Sequence, residues 1–255
     1  ECEEMLEFLS QELERPIRIR NIKSRENFFI HDKARLLLEE GKFAEAAFVL
    51  EGLLKKYPDF TAARNNLALA YHYMGKRDKA RQCLESVLDA EPGNIHALCN
   101  LALFSYQEQN DTEWKPLLEM LRKIEPLYPE HVFKLAITLG VLGEHDTAYR
   151  HFVRLIQMMG TAPDPALYHY AAAAAYNTGK TEEAIQWWKK VQNADPHSPV
   201  ADFYLKEISR FHAAEKCGDK ERLPEVHYYY HLPFASPFHP MVRNQSGCSV
   251  EDCRK

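Results

Sequence analysis

The chain has 255 residues, 45% of them hydrophobic and 27% charged, with a net charge of -5. That is ample apolar material for a core, and no basic excess marks a nucleic-acid surface. No apolar run approaches the roughly 18 residues of a membrane span, so no membrane partner is expected. Only 10 glycines are present, against abundant alanine, leucine, glutamate and lysine, which favours helices over turn-rich strands.

In chain order, residues 1–26 read as a short amphipathic helix carrying Met5, Leu6, Leu9 and Leu13, followed by a basic link with Arg15, Arg18, Arg20 and Lys23. A repeat then begins. Gly41 and Gly75 are 34 residues apart, as are Ala46 and Ala80, and Pro58 and Pro92. Ala34, Ala68, Ala102 and Ala136 hold the same period. The units are 27–60, 61–94, 95–128, 129–162 and 165–198. Each predicts two helices. In 61–94, Leu67, Ala68 and Tyr71 stripe the first, and Ala80, Leu84, Val87 and Leu88 the second. Met74-Gly75-Lys76 breaks the pair and Glu91-Pro92-Gly93-Asn94 ends it, because proline cannot continue a helix. Small residues recur where two helices must approach closely. Unit 95–128 departs most, with Gln109 in the glycine column and Trp114 in the alanine column.

The segment Asn66-Leu67-Ala68-Leu69-Ala70-Tyr71, with Gly75, Ala80 and Pro92, resembles the tetratricopeptide repeat. The resemblance covers 27–198 and implies an all-α, right-handed α-solenoid of about five helix pairs. Residues 199–217 read as a capping helix, because a solenoid end needs its apolar face covered. The tail, 218–255, is rich in aromatics and prolines. It is expected to lie extended on the solenoid, anchored by Tyr229, Leu232 and Phe234, and to reach the groove near Tyr170 and Tyr176.

The resemblance implies that the first helix of each unit lines a concave groove, through the second, fifth, sixth, ninth, twelfth and thirteenth repeat positions. These positions select Arg35 in unit one, and Asn65, Asn66, His72 and Tyr73 in unit two. Unit three supplies His96, Asn100, Tyr106 and Gln107, and unit four Phe133 and Lys134. His169, Tyr170, Tyr176 and Asn177 follow in unit five. Amides pair with both N–H and C=O of an extended peptide, and tyrosine adds apolar area with a polar tip. The expected partner is therefore a peptide or protein. Chaperone-binding relatives clamp a carboxylate through lysines, asparagines and an arginine. The corresponding residues here are His31, Arg35, Asn66, His96 and Asn100, and only Asn66 matches.

Enzymatic motifs are missing: no phosphate loop, GxSxG, HExxH or Rossmann glycines. The acids Asp111, Glu113, Glu182 and Glu183 open second helices, where the helix dipole favours them. Cys248 and Cys253, with His231 and His239 upstream, lack the tight paired spacing of a structural zinc site. No metal, cofactor or catalytic residue is expected. Six cysteines without a dense framework point to a reducing, cytoplasmic setting. Two functions follow: a non-catalytic scaffold holding a partner peptide, or a self-assembling or autoregulated module whose groove holds its own tail or a neighbour's.

Overall fold

The computed structural model describes residues 25–160 and 163–216, together with Val226 and Tyr228. Ten helices form five consecutive pairs: α1 (Arg25–Glu39) with α2 (Phe43–Lys56), and α3 (Thr61–Tyr73) with α4 (Arg77–Ala90). Next come α5 (Ile95–Gln107) with α6 (Asp111–Leu121), and α7 (Pro129–Val141) with α8 (His145–Met159). The last pair is α9 (Pro165–Asn177) with α10 (Thr181–Ala194), and α11 (Pro199–Lys216) closes the described series. Each helix packs on its successor, as the short connections require, giving an all-α solenoid.

Close packing dictates the alanine columns. Ala34, Ala68, Ala102, Ala136 and Ala172 of the first helices are all fully buried, as are Ala46, Ala80, Ala148 and Ala184 of the second. A larger side chain would force these crossings apart. Ala68→Leu is expected to cost about 1–3 kcal/mol through overpacking, read as a lower thermal midpoint; an unchanged midpoint would contradict the tight crossing.

The breaks between paired helices need a left-handed residue. Gly41, Gly75, Gly143 and Gly179 sit at φ 74, 74, 86 and 82°. In unit three the same turn is made by Gln109 at φ 57°. A residue with a side chain is destabilised there by roughly 1–2 kcal/mol, and glycine's looser unfolded chain offsets part of the difference. Gln109→Gly should therefore raise the unfolding free energy by about 0.5–1 kcal/mol, measured by urea denaturation. A lower midpoint would show that the Gln109 side chain contributes more than its backbone costs.

Unit three is also where the second helix is shortest, 11 residues with Pro116 inside it. Trp114 replaces the small residue of its column and meets Tyr106 edge-on at 5.1 Å. α6 makes only a thin contact with α7, whereas α5 and α7 pack directly on each other.

Polar side chains tie successive units. Arg81 of α4 reaches Glu108, at 3.0 Å, and Glu113. Glu113 also accepts the Ser105 hydroxyl at 2.6 Å and the Asn110 amide at 3.1 Å. The acids at this helix start thus do more than complement its dipole. Tyr149 donates to Glu183 at 2.5 Å and accepts the Trp187 indole N–H at 3.1 Å. At the C-terminal end, Trp188 is fully buried and stacks on Tyr204 of α11 at 4.9 Å. The cap covers the last unit through that ring pair.

Outside the described residues lie the expected N-terminal helix, the basic link, Tyr229, Leu232, Phe234, Cys248 and Cys253. Val226 and Tyr228 are both buried, against the fourth and fifth units.

Candidate functional site

Four first helices open onto one cavity of about 580 Å³. α1 contributes His31, Arg35 and Glu39; α3 contributes Thr61, Ala62, Asn65, Asn66 and Leu69. His96 and Asn100 come from α5, with Asn94 just before it, and Glu130, His131 and Lys134 from α7. No second helix contributes a lining residue.

The wall is dense in amides and imidazoles. Asn66 Nδ2 lies 3.0 Å from His31 Nε2, so the amide donates to the neutral ring. Asn65 Nδ2 donates to Asn94 Oδ1 at 3.2 Å, and the same oxygen caps α5 by accepting the Ala97 N–H at 3.0 Å. Asn65 Oδ1 is buried with no hydrogen-bond partner among the described residues. A buried acceptor left unpaired costs about 1–3 kcal/mol, which an incoming N–H would recover.

Lys134 is 2% exposed and donates to Asn100 Oδ1 at 2.6 Å. Burial pushes its ammonium down to about 8. His96 is pushed down to about 3 by burial, with Lys134 and His131 adding to the shift, so its ring is neutral near pH 7. Burial also lowers His31. The cavity therefore presents the neutral His31 and His96 rings, amides, the buried Lys134 and the carboxylates of Glu39 and Glu130, with Arg35 held by Asp32 and Glu39 at the α1 side.

The Lys134 shift makes a high-pH prediction. Its folded value lies below the ordinary 10.5, so between about pH 8 and 10 the unfolded chain binds the extra proton and stability rises with pH. The rise approaches roughly 1.4 kcal/mol per pH unit. Burial raises the Cys99 thiol, which works in the opposite direction above its ordinary value, so the readout is the difference between wild type and Lys134→Met. Parallel profiles for the two proteins would contradict the assignment.

The structure brings Arg35, Asn65, Asn66, His96, Asn100 and Lys134 to one cavity, across α1, α3, α5 and α7. The other selected residues lie elsewhere. His72 stacks on Phe104 at 3.8 Å and bonds Gln107 at 2.8 Å, while Tyr73 stacks on Phe43 at 4.7 Å. Tyr106 packs against Trp114, and Phe133 against Tyr170 at 5.5 Å. Tyr170 is buried on Phe152, and His169 is fully buried, accepting the Trp188 indole N–H at 3.1 Å. Tyr176 is half-buried, tilted against Trp188 at 6.3 Å. Units four and five thus commit these aromatics to packing. His31 and Glu130 line the cavity from the fifth and second repeat positions, so the register already pointed to them. His131, at the third position, had no such signal.

A family model described as tetratricopeptide repeat matches residues 37–103. The TPR repeat-containing protein YvcD of Bacillus subtilis (strain 168) is 38% identical over 165 residues, 65% of this chain and 34% of that protein. The peroxisomal targeting signal receptor of Yarrowia lipolytica is 30% identical over 132 residues, 49% of this chain and 21% of that protein. The chain thus spans about a third or less of the length of these relatives. A solved thermophilic TPR protein of Thermus thermophilus superposes with a TM-score of 0.55 at 17% identity, covering 72% of this chain and 99% of that one. At that identity the likeness is one of fold.

Proposed function

We propose that this tetratricopeptide-repeat protein is a non-catalytic scaffold that holds an extended peptide segment of a partner along the first helices of units one to four. The observation carrying the reading is the cavity lined by first helices and the Asn94 cap of α5, with Asn65, Asn66 and Asn100 on its wall. Carboxamides suit a backbone ligand: each offers an acceptor and two donors to successive peptide groups. The neutral His31 and His96 add rings that pack without demanding a counter-charge. Arg35 is already paired with Asp32 and Glu39, and Glu39 and Glu130 line the same wall, so the cavity sets no acidic requirement on the segment. Tetratricopeptide folds generally bind protein partners through this face.

Peptide display on the immobilised full chain tests the proposal. Selected peptides should bind wild type and lose roughly 1–3 kcal/mol against Asn66→Ala/Asn100→Ala, one net hydrogen bond per amide. Asn100→Ala also removes the acceptor of Lys134, so a melting curve must accompany each titration. Undiminished affinity in a folded double variant would move the site elsewhere.

A second reading, an autoregulated module engaged by its own tail, is favoured by the burial of Val226 and Tyr228 against units four and five, outside this cavity.

A further inference from the structure

The twelfth repeat position carries Leu38, His72, Tyr106 and Tyr176 in units one, two, three and five, but Gly140 in unit four. A glycine inside a helix costs about 0.5–1 kcal/mol relative to alanine, so it needs a local reason. Tyr228 supplies one. A Cβ built on Gly140 would come within 2.6 Å of the Tyr228 ring, which lies flat over the α7 backbone. The same ring runs near-parallel to Phe152 and to His145, each at 5.9 Å. Its hydroxyl is 2.8 Å from His145 Nδ1, within hydrogen-bond distance, and the residue is 2% exposed.

Asn177 of α9 grips the chain two residues earlier. Its Nδ2 donates to the Val226 carbonyl and its Oδ1 accepts the Val226 N–H, both at 2.8 Å. One side chain thereby satisfies both polar groups of one backbone residue, a contact that reads chain direction and extension rather than side-chain identity. Identity is read at the clamped residue and two residues further on. Val226 is 2% exposed, so it fills an apolar niche, and Tyr228 fills the glycine slot.

We infer that Gly140, His145, Phe152 and Asn177 form a second peptide-recognition site, that it takes an aliphatic–x–tyrosine segment, and that Val226 and Tyr228 of this chain are its resident ligand. None of the four residues lines the cavity of the first four units, so this site stands or falls independently of the one proposed above. The slot admits a flat ring only because position 140 lacks a side chain. His145 makes tyrosine the preferred ring, since phenylalanine would leave the imidazole nitrogen without the phenol. A ligand tethered to its own site acts at an effective concentration on the order of millimolar, so free peptides of micromolar affinity do not enter the intact chain. A partner gains access by carrying the same pattern and displacing the tail.

The test uses the full chain with Val226→Pro and Tyr228→Ala, which removes the N–H held by Asn177 and the ring over Gly140. The probe is a fluorescent synthetic peptide of residues 223–230, Leu-Pro-Glu-Val-His-Tyr-Tyr-Tyr. It should bind this variant at least about ten-fold more tightly than wild type. Replacing the tyrosine at the Tyr228 place by phenylalanine should weaken the peptide on the order of five-fold. Adding Gly140→Ala, or separately Asn177→Ala, should abolish binding while circular dichroism shows the helices intact. Equal affinity for wild type and variant, or no binding to either, would overturn the resident-ligand assignment. Affinity that survives both Gly140→Ala and Asn177→Ala would overturn the site.

Discussion

Trp188→Ala should lower the unfolding free energy by about 3–5 kcal/mol, while Trp187→Ala, one residue away, should cost much less. The two rings point about 100° apart on α10, and the helix turn decides their fates. Trp188 is fully buried and touches two neighbouring helices: it stacks on Tyr204 of α11, and on α9 it leans on Tyr176 and donates its indole N–H to His169. Its removal opens a large cavity between the last repeat and the cap, and takes away the indole N–H that His169 accepts. Trp187 is half-buried, lies alongside Tyr168 at 5.9 Å, and has the Lys190 ammonium 3.8 Å over its ring. Contacts of that kind at a wet surface contribute about 0.5–1 kcal/mol. Urea unfolding followed by circular dichroism gives both numbers, and similar losses for the two variants would contradict the role of Trp188 as the joint between α9, α10 and α11.

Mild acid should destabilise the protein through its imidazoles before its carboxylates titrate. Burial lowers His31, His72, His96 and His151 below the ordinary value of 6.5. For a depressed group the stability is present above the unfolded value and is lost as pH falls, because the unfolded chain takes up the proton first. His96, held down to about 3, stays neutral in the fold throughout the range from pH 6.5 to 4.5. It alone should remove roughly 2–3 kcal/mol across that range, at about 1.4 kcal/mol per pH unit. Denaturation midpoints should fall steadily from about pH 7 to 4.5, and His96→Asn should flatten the slope by nearly one proton. An identical slope in the variant would show that His96 does not titrate as its surroundings dictate.

The repeat was legible in the sequence because its columns are steric demands. An alanine at a close crossing and a glycine at a left-handed turn have few substitutes, so they recur visibly; Gln109 broke the column yet kept the turn, at φ 57°. The cavity was legible in part. Arg35, Asn65, Asn66, Asn100 and Lys134 follow from the register of first helices. His169 and Tyr170 follow from the same register but are buried, His169 by the cap and α10 and Tyr170 on Phe152 of α8, and repeat position alone does not record such neighbours. The slot at Gly140 was hidden for another reason. A helical glycine advertises only a weakness in the helix, and its meaning lies in a tyrosine 88 residues away.

The most direct test of the peptide groove is a photo-crosslink from each kind of helix. Ala62 of α3 is exposed and lines the cavity, whereas Phe48 of α2, a second helix, is 79% exposed and does not. A benzophenone amino acid at either place leaves the core untouched. With a display-selected peptide, the account predicts efficient crosslinking from position 62 and none above background from position 48. The reverse pattern would contradict a partner site on the first helices.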